Sequence, residues 1–491
     1  MNILLIGPSN NTIRSGQHLS PSLGLYRLKS YIEKKTPALV DVVDPSFDRS
    51  SIEIALSNKK YNIVGHSVLH PTLEDDMKIA WLVHRLQPDT VQIAGGQGAQ
   101  GVAELLLVHT PISAVIRGFG ERALESLVAE SKIEDLPDTT YIDGHQLKQN
   151  NRSTPSTKEE FIAMNMNIDF RDIPYESYWE RMEQHYTDSD RDMTRTNNQT
   201  RTIRIISANY CPLGCTFCSS TNFLQDIGSP KEKLRQLPAK QLIELMNKAR
   251  EAHPSVESFY FNDDDFTIDR QRVEEFCTLL NNDIRLLCQG RVDDVEPELL
   301  NQMYSKGFRM ILYGVETFSS SLAMAIGKSR KEDYGTIAYN TARATLNSGI
   351  TPQLNIMLFL PQTKISDLEQ TIDTSVDLMQ QGARVTIFPY VEAYPGAKIV
   401  GQFPATQKEI LVENKRLQIP DIIPPINTSV IQLSRTAIKN SDHYIRNHFQ
   451  RKPPQPIEVL SLFSSVYQLL GKSTDAIDKC RLAIEQKYNR K

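Results

Sequence analysis

The sequence predicts an α/β protein: a flavodoxin-like, Rossmann-type parallel sheet, then a partial (β/α)6 TIM-like barrel, then a helical C-terminal region. Three observations carry this. Short β-rich runs alternate with longer helical patterns over residues 1–130, the alternation resumes over about 200–400, and it is absent beyond 400. The 491 residues accommodate roughly three domains at about 150 residues each. The boundaries fall at 1–134, 135–200 (a linker), 201–400 and 401–491.

In the first region the strand candidates are Asn2–Ile6, Leu39–Val43, Asn62–Val68, Thr90–Ala94 and Ala114–Arg117. Helical patterns lie near Leu23–Glu33, Leu73–Leu86, Val102–Val108 and Glu121–Ala129. Five strands with four intervening helices fit a doubly wound sheet, which binds ligands at the carboxyl ends of its strands. Polar and glycine-rich runs sit at those ends: Gly7-Pro8-Ser9-Asn10, Ser67-Val68-Leu69-His70, Gly95-Gly96-Gln97 and Gly118-Phe119-Gly120-Glu121. Glycines that merely permit tight βα turns are the alternative.

Residues 135–200 lose the periodicity and collect polar residues, as in Gln149-Asn150-Asn151-Arg152-Ser153-Thr154-Pro155; Tyr175-Glu176-Ser177-Tyr178-Trp179 is the candidate ordered part. Six further strands follow at Ile203–Ala208, Ser258–Asn262, Ile284–Cys288, Met310–Val315, Gln353–Phe359 and Arg384–Pro389. Six βα repeats suggest a full or partial barrel with its chemistry at the C-terminal strand ends. Beyond 400 a break at Lys452-Pro453-Pro454-Gln455-Pro456 precedes helices over Ile457–Leu470 and Asp475–Gln486.

Composition is that of a globular chain, with 40% hydrophobic and 23% charged residues and a net charge of −4. No run reaches the ~18–20 apolar residues of a membrane helix, and the first seven residues lack the basic start of a signal peptide. The near-neutral charge gives no footprint for nucleic acid. Six cysteines, none before position 211, do not make a disulfide framework, so a cytoplasmic location is expected.

The strongest signal is Cys211-Pro212-Leu213-Gly214-Cys215-Thr216-Phe217-Cys218. Three thiolates within eight residues can wrap one small metal centre, and soft sulfur selects zinc or iron–sulfur clusters. Structural zinc normally takes four protein ligands, and no neighbouring Cys or His completes the set. Three cysteines on a four-iron cubane leave one iron open. A zinc with a distant fourth ligand is the alternative.

The loop resembles that of the radical S-adenosylmethionine (SAM) superfamily, C-x-x-x-C-x-Φ-C after the first barrel strand, with Phe217 in the aromatic place. The resemblance implies a [4Fe-4S] cluster on Cys211, Cys215 and Cys218 whose open iron chelates SAM. One electron, from a donor such as flavodoxin or ferredoxin, then gives methionine and a 5′-deoxyadenosyl radical. Four further segments resemble family positions around SAM. Phe259-Tyr260-Phe261-Asn262-Asp263-Asp264-Asp265 would offer Asp263 and Asp264 to the methionyl amine, and Gln289-Gly290-Arg291 would set Arg291 against the carboxylate. Gly314-Val315-Glu316-Thr317 would bring Glu316 to the ribose or methionyl end, and Tyr394-Pro395-Gly396 would lie beside adenine. An exposed acidic turn is the alternative for the Asp run, and a surface Arg for Arg291. This resemblance covers about residues 200–400.

The preceding region resembles the cobalamin-binding domains found ahead of many radical SAM barrels. The segments are Pro21-Ser22-Leu23-Gly24-Leu25, Gly65-His66-Ser67-Val68, Ala94-Gly95-Gly96-Gln97 and Arg117-Gly118-Phe119-Gly120-Glu121. The implied cobalamin contacts are Ser9, Leu23, Gly24, Ser67, Val68, Leu69, His70, Gly95, Gly96, Gln97, Gly118, Gly120 and Glu121. The region supplies no cysteine, unlike that of methylthiotransferases. It also lacks the D-x-H-x-x-G motif that puts a His beneath cobalt, which leaves the lower ligand open.

Together these resemblances imply a cobalamin-dependent radical SAM enzyme that methylates an unactivated carbon or a phosphinate of a small molecule or peptide. A cyclisation or rearrangement with the same cofactors is the second expectation, and a non-catalytic corrinoid- and iron–sulfur-binding accessory protein the third.

Overall fold

The structure, a computed structural model, describes residues 1–9, 20–150, 157–185, 201–219, 233–281, 283–392, 394–395, 397–402, 407–420, 433, 436–437 and 456–489. Asn10, Gly396, Asn151–Pro155 and Lys452–Gln455, singled out above, lie outside the described residues.

Strands β1 (Asn2–Ile6), β2 (Leu39–Val43), β3 (Ile63–Ser67), β4 (Val91–Gly95) and β5 (Ala114–Ile116) form a parallel sheet in the order β2-β1-β3-β4-β5. This is the flavodoxin-like order, and its strands are continuous apolar runs because helices cover both faces. Helices α1 (Leu23–Lys35), α3 (Leu73–Leu86), α4 (Ala103–His109) and α5 (Glu121–Val128) stand where the periodicity predicts them. A fifth, α2 (Ser50–Asn58), escapes the sequence reading because only Ile52 and Leu56 of its nine residues are buried.

The sheet then continues into the stretch read as a connector. Strand β6 (Thr139–Asp143) pairs antiparallel with β5, and β7 (Gln146–Gln149) pairs antiparallel with β6 around a turn with Gly144 at φ +61°. All four β7 residues are exposed, so this edge strand has no apolar alternation to betray it. Helices α6 (Lys158–Met166) and α7 (Tyr175–His185) follow. Trp179 on α7 is buried and donates its indole N–H to the carbonyl of Thr202 at 3.2 Å, which ties the connector to the first barrel strand.

The second sheet contains β8 (Thr202–Ile205), β9 (Ser258–Phe261), β10 (Arg285–Gly290), β11 (Phe308–Glu316), β12 (Thr351–Phe359) and β13 (Arg384–Tyr390), all parallel and in chain order. It is a six-stranded partial barrel. Alternate residues divide between two apolar layers. Phe259, Phe261, Leu286, Ile311, Leu354 and Ile387 face the helices, while Tyr260, Leu287 and Met310 form a separate cluster on the opposite face. Tyr26 of α1 belongs to the barrel's core cluster, and Leu23 packs against it.

The C-terminal region is helical in part, with two helices, Pro456–Leu469 and Asp475–Asn489, packed on the barrel core through residues such as Phe463 and Ile477. Residues 407–420 correct the helical reading. They form an antiparallel hairpin, β14 (Gln407–Val412) and β15 (Lys415–Pro420), turning at Glu413 and Asn414, both with positive φ. Ile410, Val412, Leu417 and Ile419 alternate along it and share a core with Leu73, Met77 and Ala80 of α3. That is a strand period of two, too short in sequence to stand out. No described helix is long and apolar enough to cross a membrane.

Candidate cluster and cofactor site

The cysteine loop leaves β8 and turns at Gly214, whose φ of +73° suits a residue without Cβ. Cys211, Cys215 and Cys218 are half-buried and in no disulfide, and the N–H of Cys218 donates to the carbonyl of Cys215 at 3.2 Å. Thr216 anchors the loop on two sides. Its N–H and hydroxyl both donate to the carbonyl of Ile326, at 3.1 and 2.9 Å, and its own carbonyl accepts from the N–H of Ile399 at 2.8 Å. Gly327 permits the approach: a Cβ there would lie 3.3 Å from the Thr216 methyl. Phe217 packs with Leu322, Ile326, Leu360, Val391, Ala397 and Ile399.

Burial pushes the Cys211 thiol up to about 12, with the carboxylates of Asp265 and Asp264 adding to the effect. Such a thiol gives up its proton to a strongly electrophilic metal rather than to water. Among the described residues no three or more His, Cys, Asp or Glu side chains gather around a single ion position, the triplet included. On zinc the ligands converge within about 2.3 Å of one ion, whereas in a cubane each thiolate takes its own iron. Three thiolates on one loop are a donor set that fits a cluster.

The acidic run after β9 divides its labour. Asp263 is 1% exposed, and its carboxyl accepts from the N–H groups of Ser207 and Ala208 and from the Ser207 hydroxyl. Arg272 donates to that same hydroxyl and to the carbonyl of Leu237. Asp263 thus fixes the chain that leads into the cysteine loop. Asp264 is exposed at the tip. Asp265 is buried against Asp294, and burial together with that second carboxyl pushes it up to about 8.

Arg291 is also buried. Its guanidinium grips Asp293 through two 3.0 Å bonds and donates to the carbonyl of Lys328 at 2.8 Å. Lys328 in turn puts Nζ 3.3 Å from Oε1 of Glu316, with both side chains buried. Glu316 ends β11 at a register shift and holds φ at +67°. A non-glycine residue in that region costs about 1–3 kcal/mol and is found where a side chain must be aimed. Gly314 opens the space, since a Cβ there would lie 2.6 Å from Glu316 Oε1 and 3.0 Å from Lys328 Nζ.

At the first sheet, Ser9 is buried and donates its N–H to Asp76 at 2.9 Å. Val68 is buried, while Ser67 and Leu69 are half-buried. Gly96 has φ +99°, and a Cβ on Gly98 would meet the backbone N of His70 at 2.4 Å. Gln97 is exposed, Gly95 is half-buried, and Gly24 faces open space at the start of α1 beside Leu23. Gly118, with φ +76°, and Gly120 lead into α5. Glu121 there is fully buried and held by Arg27 at 2.7 Å, so its carboxylate fastens α1 to α5.

The two sets of loops meet. The ring of His70 stands edge-on to that of Tyr394 with centroids 6.1 Å apart, and a Cβ on Gly101 would lie 2.4 Å from Cβ of Pro395. The Tyr394 hydroxyl donates to Glu392. The glycines at 96 and 98 let the loop after β4 pack against the backbone of Val68, Leu69 and His70 in the loop after β3.

Lys328, Asp294 and Asp76 are missing from the sequence reading, because their partners come from other parts of the chain and no local motif announces them. Thr216 stands there only as the spacer between Cys215 and Phe217.

Residues 205–374 match the family model of the radical SAM superfamily. No curated protein matches the chain. Among solved structures, the radical SAM methyltransferase TsrM from Kitasatospora setae, with tryptophan substrate and a SAM analogue bound, superposes with a TM-score of 0.68 at 12% identity, covering 100% of this chain and 99% of that one. The cobalamin-dependent SAM radical enzyme OxsB, with aqua-cobalamin and SAM bound, gives 0.64 at 15% identity, covering 96% and 71%. TsrM with cobalamin and a [4Fe-4S] cluster bound gives 0.63 at 12%, covering 96% and 100%. Residues 205–374 thus match the radical SAM superfamily, and the chain as a whole has the fold of the radical SAM methyltransferase TsrM and of the cobalamin-dependent SAM radical enzyme OxsB.

Proposed function

We propose that the protein is a cobalamin-dependent radical SAM methyltransferase acting on a carbon or phosphinate of a small molecule or peptide. The observation that carries the reading is the contact of His70 and Gly101 with Tyr394 and Pro395, which brings the ligand-binding ends of both sheets to one interface. Bound there, the cluster with SAM supplies a 5′-deoxyadenosyl radical and cobalamin supplies a methyl carrier.

The chain's own residues bind and orient. Cys211, Cys215 and Cys218 hold the cluster, and Thr216 fixes their loop against Ile326 and Ile399. Glu316 and Lys328 offer one carboxylate and one ammonium, which suit the amine and carboxylate of the methionyl group. Arg291 holds Lys328 in place through its backbone. Asp263 sets the approach to the loop, and Asp264 is the exposed acid beside it. Tyr394 closes the interface above the first sheet. The electron comes from a donor such as flavodoxin or ferredoxin.

The test is anaerobic reconstitution of the full chain with iron, sulfide and hydroxocobalamin. Both iron–sulfur and corrinoid absorption bands are expected. With SAM and a strong reductant, methylcobalamin with S-adenosylhomocysteine and, separately, 5′-deoxyadenosine should form. Zinc alone, or no SAM cleavage, overturns the radical reading; corrin and SAM cleavage without methylcobalamin leaves a cyclase or rearrangement enzyme.

A further inference from the structure

Asp76 is a buried acid that the site above does not use. It lies in the first turn of α3, 4% exposed, and collects donors from two strand-end loops. The N–H of Ser9, after β1, reaches it at 2.9 Å; the N–H of Leu69, after β3, reaches it as well. The Thr72 hydroxyl lies 2.6 Å from Oδ2, and the same hydroxyl lies 3.0 Å from the carbonyl of Leu69.

A hydroxyl has one proton, so Thr72 donates it to Asp76 at the shorter distance. The carbonyl of Leu69 keeps the N–H of Thr72 at 3.1 Å, while Oδ1 of Asp76 accepts from Ser9. Every polar atom then has a partner of the right kind, as a buried network requires.

The same loops are tied on their other side. The N–H of Val68 donates to the carbonyl of Gly95 at 2.8 Å, and the N–H of Gly98 to that of Val68 at 3.0 Å. Three strand-end loops, after β1, β3 and β4, therefore form one plate, and His70 is mounted on it.

We infer that Asp76 is a positioning residue whose buried carboxyl clasps the loops after β1 and β3 into a platform for the corrin. This rests on the cobalamin reading above.

The experiment compares wild type, Asp76→Asn and Asp76→Ala as full chains carrying the reconstituted cluster. Hydroxocobalamin is titrated by its visible spectrum, and amide hydrogen exchange is followed at Ser9 and Leu69 without corrin. Asn is the neutral isostere, since its amide donates to Thr72 and its oxygen accepts from Ser9. It should bind hydroxocobalamin within about twofold of wild type and keep amide protection, whereas Ala should lose about tenfold or more in both, with iron content unchanged. Asn as weak as Ala, or Ala equal to wild type, overturns the clasp. A wild-type chain that binds no hydroxocobalamin overturns the cobalamin reading and the platform's ligand; the exchange data still decide the clasp.

Discussion

Glu316 Oε1 lies 3.3 Å from Lys328 Nζ, with the two side chains only 9% and 7% exposed, in a space that exists because residue 314 is glycine. Breaking a buried ion pair from one side leaves a charge without compensation and costs about 3–5 kcal/mol. Glu316→Gln and Lys328→Met should each weaken SAM binding by at least about tenfold, a change of about 1.4 kcal/mol, while the cluster spectrum stays intact. Gly314→Ala should do the same, because its methyl would displace both groups. Isothermal titration with SAM on reconstituted protein reads the effect; unchanged affinity in Glu316→Gln removes Glu316 from the site.

Replacing Cys211, Cys215 and Cys218 together by Ala should remove about four irons per chain. Iron and sulfide analysis checks it, and residual iron at the wild-type level would place the cluster elsewhere.

Thr216→Val removes the 2.9 Å hydroxyl bond to Ile326 but keeps the two backbone bonds of that residue. One hydrogen bond is worth about 1 kcal/mol. The cluster should still assemble, yet bleach several-fold faster in air because its loop opens more often. Bleaching at the wild-type rate would show that the backbone contacts alone hold the loop.

Much of this frame is legible in sequence for a physical reason. Parallel strands buried on both faces read as apolar runs, so β1 and β9 stand out, and a loop of three cysteines needs no partner to be noticed. What is hidden depends on return of the chain. Lys328 looks like any surface lysine until residues 326–328 fold beneath Thr216. Glu121 has the look of a ligand contact in sequence, but only the structure pairs it with Arg27, 94 residues away. Asp76 reads as an ordinary first-turn acid of α3, because its partner Ser9 lies 67 residues earlier.

His70 is 2% exposed, backed by Gly98 and met edge-on by Tyr394, so its ring is a packing element of the interface. We expect it to line the lower face of the corrin without ligating cobalt. Electron paramagnetic resonance of the cobalt(II) form should show no nitrogen splitting that disappears in His70→Ala. Splitting lost in that variant would establish ligation instead.

The last prediction concerns pH. Burial, aided by Asp75, pushes the Asp76 carboxyl up to about 8, far above the ordinary value of 3.8. An acid raised in the folded state binds more protons there than in the unfolded state at neutral pH. Its stabilising contribution is therefore full below about 4 and is lost as pH rises through about 8. Raising the pH from 7 to 9 should lower amide protection at Ser9 and Leu69 and weaken hydroxocobalamin uptake, because it puts a charge in a site buried away from water. Asp76→Asn has no proton to lose, so both properties should stay flat over the same range. Burial also pushes His66 down to about 4, which keeps it neutral throughout and removes it as a source of the effect. Parallel pH profiles for wild type and Asp76→Asn would assign the titration to another group.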